Sequence, residues 1–182
     1  MKRAVLVNGI PASGKSRIAR ALATRTGWPI LTLDSIKEPF FDHLGLGDRE
    51  FNRKLGRASY QAIWSIVGDA PPGMTFIVDA WFGFQPIEVL EAHLARAQVT
   101  QTAEIWCHVP TEVLVQRYRE RLPERHPGHP GEDLIPQLIT MSEQAKPLGR
   151  GPVFDAETSG PVDIEALVQW LQGVFAAGTT PR

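Results

Sequence analysis

The sequence predicts an α/β fold in which five parallel strands form a sheet that helices cover on both faces. Short apolar runs recur along the chain, beginning at residues 4–7. Their continuous rather than alternating pattern is typical of strands buried on both sides. Segments with helical periodicity separate the runs, and this alternation predicts right-handed crossovers and a three-layer architecture.

The elements can be assigned in order. A strand at 4–7 leads through a glycine-rich loop into a helix over 16–25, and a second strand covers 30–33. The strongest amphipathic pattern lies at 49–67. The remaining strands are predicted at 74–78, 103–109 and 153–156, and the remaining helices at 86–98, 111–122, around 134–141 and 162–175. The tail, 177–182, is expected to be frayed.

Composition limits the class of protein. The chain has 182 residues, of which 43% are hydrophobic and 21% charged, and these values suit one soluble domain over residues 1–176. The net charge of −1 gives no global field that would attract nucleic acid, so a nucleic-acid partner is not expected. A single cysteine, Cys107, excludes an internal disulfide framework, and no apolar run is long enough to cross a membrane. We therefore expect a cytoplasmic protein, and the sequence does not indicate its oligomeric state.

The loop after the first strand reads GIPASGKS and matches G-x-x-x-x-G-K-[ST] without a gap. Its glycines allow backbone N–H groups to converge on an anion, and the following helix adds its positive end. Lysine supplies a charge for the outer phosphates, and serine supplies a hydroxyl for Mg²⁺. The predicted nucleotide-binding residues are Gly9, Pro11, Ala12, Ser13, Gly14, Lys15, Ser16 and Arg17.

Other motifs narrow the class of phosphate-binding protein. A regulatory GTPase should carry D-x-x-G and N-K-x-D motifs, and a mechanical ATPase usually has a second acidic residue after the strand-end aspartate. Asp79 is followed by Ala80, and no N-K-x-D occurs in the sequence. A small nucleotide-dependent phosphotransferase remains.

Two aspartates are expected at the carboxyl ends of strands, where ligands bind in such sheets. We interpret Asp34 as the group that accepts the proton of an attacking hydroxyl. The alternative is that Asp34 or Ser35 caps the following helix, with Glu38 completing a capping box from Ser35, and the two roles can coexist. Asp79 can hold Mg²⁺ together with Ser16, or contact the acceptor. Trp81 can line the acceptor pocket or pack in the core.

A group of arginines precedes a loop rich in proline, glycine and histidine. Arg117 and Arg121 share a helix face, and with Arg125 they can neutralise charge on a transferring phosphoryl group. A solvated face paired with Glu120 and Glu124 is the alternative. His126 and His129 are not expected to bind a metal, because no third ligand follows at metal-binding spacing.

In these motifs the chain resembles the small P-loop kinases that include chloramphenicol phosphotransferase, zeta toxins and the polynucleotide-kinase-like group. The matching positions are residues 7–16, Asp34-Ser35, Val78-Asp79 and the pair Arg117 and Arg121. The resemblance implies strand order 2-3-1-4-5, a helical acceptor insert at about 35–73 and a lid at about 122–133. It also implies ATP or GTP with Mg²⁺, Asp34 as base, lid arginines on phosphates, and an adenine site around 155–159.

The expected activity is therefore transfer of the γ-phosphoryl of ATP to a hydroxyl of a small molecule, such as an antibiotic, sugar or nucleoside. Two alternatives remain open from sequence: a polynucleotide 5′-kinase, and a non-catalytic module that senses nucleotide. The insert matches no known member, so the acceptor is not identified.

Overall fold

A computed structural model describes residues 1–177 as a five-stranded sheet between helices. The strands are β1 (Lys2–Asn8), β2 (Ile30–Thr32), β3 (Thr75–Ala80), β4 (Val99–His108) and β5 (Val153–Glu157). The helices are α1 (Lys15–Thr26), α2 (Leu33–Leu44), α3 (Arg49–Asp69), α4 (Ile87–Arg96), α5 (Thr111–Arg121), α6 (Ile135–Gln144) and α7 (Ile164–Ala177). Short 3₁₀ turns lie at Phe82–Phe84, Leu122–Glu124 and Glu132–Leu134.

The strand order is β2-β3-β1-β4-β5, and every pairing is parallel. The predicted fold class and strand order are confirmed. Asp79 in β3 pairs with Thr32 at the end of β2 and with Val7 in β1. The carboxyl ends of these three strands therefore meet at one edge of the sheet.

The central strand β1 shows why both faces of the sheet must be covered. Val5 and Val7 enter one buried cluster, which contains residues of α1 and α7. Ala4 and Leu6 point the other way, into a cluster formed with α3 and α4. All four side chains are fully buried, which explains their continuous apolar pattern.

A third cluster lies beyond the sheet edge and joins the glycine-rich loop to α5 and α6. Ile10 and Ala12 of the loop pack there with Leu114, Tyr118 and Leu138. Apolar contacts to α5 and α6 thus help to hold the loop in place.

Several element bounds differ from the sequence prediction, which gave no bounds for helix α2. Strand β2 ends at Thr32, because α2 begins at Leu33. Strand β4 begins at Val99, four residues before the predicted start. Ala177, assigned to the frayed tail, is the last residue of α7, while the rest of that tail, 178–182, lies outside the described residues. Among the described helices, none is long and apolar enough to cross a membrane.

Candidate active site

The glycine-rich loop has the backbone conformation of an anion-binding nest. Ala12 and Gly14 both adopt left-handed conformations, with φ of 67° and 85°. Alternation between right- and left-handed residues turns successive N–H groups toward one point. At Gly9 the end of strand β4 comes so close that a Cβ on residue 9 would lie 2.5 Å from the Cys107 carbonyl oxygen. The motif glycines are therefore required by geometry.

The loop opens directly into α1. Gly14 is the N-cap residue and provides no side-chain cap. Lys15 and Ser16 occupy the first turn, where an α-helix offers no backbone acceptor for their N–H groups. Both side chains are half-buried. The helix start thus presents unpaired amides and a positive dipole end, as anion binding requires.

The segment after β5 holds the loop from the side. The hydroxyl of Thr158, a fully buried residue, donates to the Ser13 carbonyl oxygen at 2.7 Å. A Cβ at Gly14 would lie 2.7 Å from that hydroxyl oxygen. Arg17, which is exposed, donates to the Gly160 carbonyl oxygen at 3.1 Å. The segment expected by resemblance to border the adenine site therefore adjoins the phosphate loop.

Asp79 lies at the sheet edge in an unusual state. It is 3% exposed, and its Oδ1 has no hydrogen-bond partner among the described residues. Burial raises the pKa of its carboxyl group, while attraction from Lys15 and a hydrogen bond from Ser16 oppose that rise. Asp79 thus lies beside Lys15 and Ser16, which the sequence assigned to phosphate and metal, and its own role as a metal or acceptor ligand stays a prediction.

Asp34 is not at the end of a strand but in the first turn of α2. The N-cap of this helix is Thr32, whose hydroxyl accepts from the Ser35 amide at 3.1 Å. The structure does not bear out the alternative in which Asp34 or Ser35 caps the helix, so the Asp34 carboxylate is not needed as a cap. It is half-buried and close enough to Asp79 to raise the pKa of that residue.

The three arginines that the sequence assigned to phosphate differ in their contacts and exposure. Arg117 donates to the Thr158 hydroxyl at 3.1 Å and to its carbonyl oxygen at 2.8 Å, so it holds the segment beside the loop. Arg121 is exposed. Arg125 is half-buried, its guanidinium lies 5.4 Å from the Tyr118 ring centroid, and its Nε has no partner among the described residues. Phosphate contact by these residues stays a prediction.

Other predicted pairings turn out differently. Glu120 accepts from Gln116 at 2.8 Å rather than from an arginine. Trp81 packs with the third apolar cluster and lies 6.3 Å from Trp106, measured between ring centroids. These contacts give Trp81 a packing role, and its part in acceptor binding stays a prediction.

The predicted lid lies against α2. His126 Nε2 is 3.0 Å from Asp42 Oδ1, and His129 Nε2 is 2.9 Å from Glu38 Oε1. Ligand atoms of Asp34, Glu38 and His129 lie within 4.8 Å of one another. Sequence spacing could not reveal these two carboxylates beside His129, because they come from a distant helix, and the expectation that the histidines bind no metal stays a prediction.

The sequence analysis missed a buried polar network that connects strands β4 and β1 to the start of the glycine-rich loop. Glu104 is 1% exposed and accepts from Asn8 Nδ2 at 2.8 Å. The Asn8 Oδ1 in turn accepts from the amides of Gly9 at 2.9 Å and Phe82 at 3.1 Å. A glutamate inside an apolar strand was the available signal, since such a charge is kept only where it has partners.

Comparisons with known proteins agree with this geometry. A presumed kinase from Chloroflexus aurantiacus J-10-fl has a similar structure, with a TM-score of 0.82 and 29% identity over 95% of this chain and 98% of that chain. Kti12 from Chaetomium thermophilum in complex with ADP-AlF3 gives a TM-score of 0.66 at 15% identity, covering 94% of this chain and 98% of that chain.

A sugar kinase from Janibacter sp. HTCC2649 gives 0.62 at 15% identity, covering 97% of this chain and 95% of that chain. No curated protein matches the sequence significantly. The predicted P-loop kinase fold is confirmed. The model of the family AAA_33, described as an AAA domain, matches residues 5–137, which is most of the chain. With its phosphate loop, buried strand-end aspartate and parallel sheet, the chain belongs to the AAA_33 family of AAA domains.

Proposed function

We propose that the chain transfers the γ-phosphoryl group of ATP to a hydroxyl group of a small molecule, with Mg²⁺ assisting. The observation that carries this proposal is the position of Asp34. Its half-buried carboxylate belongs to a helix that starts at the same sheet edge as the phosphate loop, and it needs no capping role there. The similarity to kinases in fold supports the same conclusion.

In this mechanism the loop amides and Lys15 bind the outer phosphates and hold the γ-phosphoryl in place. Asp34 orients the acceptor hydroxyl and takes its proton as the new oxygen–phosphorus bond forms. The bond between the γ-phosphorus and the bridging oxygen breaks, and ADP leaves. Arg125 is assigned to the negative charge that develops on the transferring group, since its Nε is buried and no described residue accepts its hydrogen bond. In this mechanism, positioning of the two reactants and neutralisation of the phosphate charge account for most of the rate enhancement.

The residues present fit a magnesium ion. Asp79 offers a buried carboxylate oxygen that lacks a partner among the described residues, and the Ser16 side chain lies beside it. Carboxylate and hydroxyl oxygens are the ligands that Mg²⁺ takes, usually with waters and phosphate oxygens. Neutralisation of charge on the outer phosphates is the chemistry that a bound ion would supply. Asp79 and Ser16 would hold it against the loop.

The test measures transfer of radioactive γ-phosphate from ATP to a panel of hydroxyl compounds. Asp34→Asn should lower kcat by about 10²–10⁴-fold, because a general base is lost, while the Kd for ATP stays within about twofold. Ser35→Ala is the matched control, since this exposed neighbour is not needed for chemistry. Full turnover by Asp34→Asn, or ATP hydrolysis that no acceptor accelerates, would contradict the proposal.

A further inference from the structure

The His-Pro-Gly-His turn of the predicted lid, residues 126–129, docks on one face of α2. Phe41, which is 3% exposed, stacks on His126 with 5.3 Å between ring centroids and meets the edge of His129 at 5.8 Å. Gly128 fits directly over the same ring, since a Cβ there would lie 2.4 Å from Phe41 Cδ2. Asn52 of α3 donates to the Gly128 carbonyl oxygen. The turn is thus held in one place by packing.

Docking places His129 next to the proposed base. His129 Nε2 contacts Glu38, which lies one helical turn after Asp34 on α2. The side chain of His129 is 4% exposed, whereas that of Glu38 is 38% exposed. Burial lowers the pKa of His129, so at neutral pH it acts as an uncharged donor to Glu38. Within residues 1–177, the second Glu38 oxygen and the Asp34 carboxylate have no hydrogen-bond donor and can act as acceptors.

The charges around this group limit what it can bind. Lys37 and Arg125 lie close enough to His129 to affect its pKa, and they balance the two carboxylates. Lys37 is already engaged, because its Nζ donates to Asn52. These cations oppose a divalent metal ion, and the two carboxylates oppose an anionic acceptor. Hydroxyl groups fit, because they donate hydrogen bonds to carboxylates and carry no charge.

We propose that Glu38 and His129 extend the acceptor site beside Asp34, and that the acceptor is an uncharged compound with hydroxyls on neighbouring carbons. One hydroxyl reacts at Asp34, while the next donates to Glu38, whose orientation His129 fixes. The ligand atoms lie within 4.8 Å of one another, a separation that neighbouring hydroxyls can bridge. This inference rests on the proposed kinase function and names its substrate class.

The experiment compares Glu38→Gln with Asp42→Asn in the full chain. Both variants replace a carboxylate that pairs with a lid histidine, but Asp42 lies at the outer end of the docked turn, with its side chain 65% exposed. The acceptors are D-glucose, myo-inositol and D-ribose, set against anionic D-gluconate, cationic D-glucosamine and cyclohexanol with its single hydroxyl. Phosphoryl transfer and ligand-induced thermal shift are both measured.

The neutral polyols should be the best acceptors of the wild type. Glu38→Gln should raise their KM at least tenfold and leave the KM for ATP within twofold, while Asp42→Asn changes both less than twofold. His129→Gln, which still offers a donor, should retain more affinity for the polyol than His129→Ala.

Preference for an anionic, cationic or single-hydroxyl acceptor would overturn the inference and leave the kinase function standing. Equal behaviour of the two carboxylate variants would do the same, whereas ATP binding with no transfer to any compound would count against the proposed kinase function itself. A thermal shift by Zn²⁺ or Mn²⁺ alone that Glu38→Gln abolishes would assign the cluster to a metal instead. Failure of the wild type to bind ATP would defeat the proposed function itself.

Discussion

Asp79 is an acidic residue to which the protein gives little solvation. Its carboxylate is buried and one oxygen lacks a partner among the described residues, a costly arrangement that a bound cation would relieve. Because burial raises its pKa in the folded state, the stability that this group contributes is present at low pH and is lost as the pH rises through the folded pKa. Ionisation of Asp79 should therefore lower the free energy of unfolding of the unliganded protein at neutral and higher pH.

Asp79→Asn should remove that destabilisation. We expect the variant to melt above the wild type at pH 8 without ligands, by roughly 2–4 °C for each kcal/mol relieved, and the difference should vanish near pH 4. Thermal melts at both pH values check this, with the exposed Asp69→Asn as control. A less stable variant at pH 8 would mean that neighbouring cations over-compensate the burial. ATP with Mg²⁺ should stabilise the wild type more than the variant.

At the scale of single residues, the sequence analysis found the features that a local sequence pattern encodes. The phosphate loop and Asp79 follow from a contiguous motif and a strand end. The hydrogen bond from Thr158 to Ser13 spans 145 positions, and the contact between His129 and Glu38 spans 91. No periodicity or spacing reports such pairs, because they exist only once the sheet has brought its loops together.

We expect the proposed chemistry to depend on how the lid turn packs against helix α2. Gly128→Ala would push a Cβ against Phe41 and undock the turn from α2. Since a displacement of about 1 Å can cost about 100-fold in rate, we expect turnover to fall by ten- to 100-fold, with only a small loss of stability. Hydrogen exchange over residues 122–133 should increase.

Gly131→Ala is the matched control for that prediction. It lies in the same segment, but an added Cβ would meet only Asp133 Oδ1 at 3.5 Å, an ordinary contact. Equal rates and equal exchange in the two variants would mean that docking of the turn does not matter for turnover.

The sequence analysis predicted the bounds of most helices within a few residues. The error at the start of α2 has a physical reason. Periodicity over α3 is strong because one face of the helix packs on the sheet. The boundary between β2 and α2 was missed because Thr32 both ends the strand and caps the helix. The assignment of Asp34 to a strand end followed from that error, although its place at the active edge did not change.

At the scale of the whole molecule, Glu104 joins parts that are far apart in sequence. Besides Asn8, it accepts from the amides of Leu148 at 3.0 Å and Gly149 at 3.3 Å. Through Asn8 it reaches the start of the phosphate loop and the turn after β3. The network thus ties the loop that binds phosphate to the middle of the sheet and to the segment after α6.

Glu104→Ala would leave three donors without this acceptor: the buried side-chain amide of Asn8 and the partly buried backbone amides of Leu148 and Gly149. We expect it to lower the free energy of unfolding by about 3–5 kcal/mol, while Glu104→Gln, which keeps one acceptor, should cost less. Urea unfolding of both variants checks this. A loss below about 1 kcal/mol for Glu104→Ala would show that water replaces the carboxylate and that the network does not hold the loop.

The most direct test of the account is a calorimetric titration of the protein with ATP and Mg²⁺. The wild type should bind one equivalent, Lys15→Ala should bind at least tenfold more weakly, and the exposed Arg119→Ala should match the wild type. Absence of binding to the wild type, or equal affinity of the wild type and Lys15→Ala, would contradict the claim that the loop at residues 9–16 holds the phosphates of ATP.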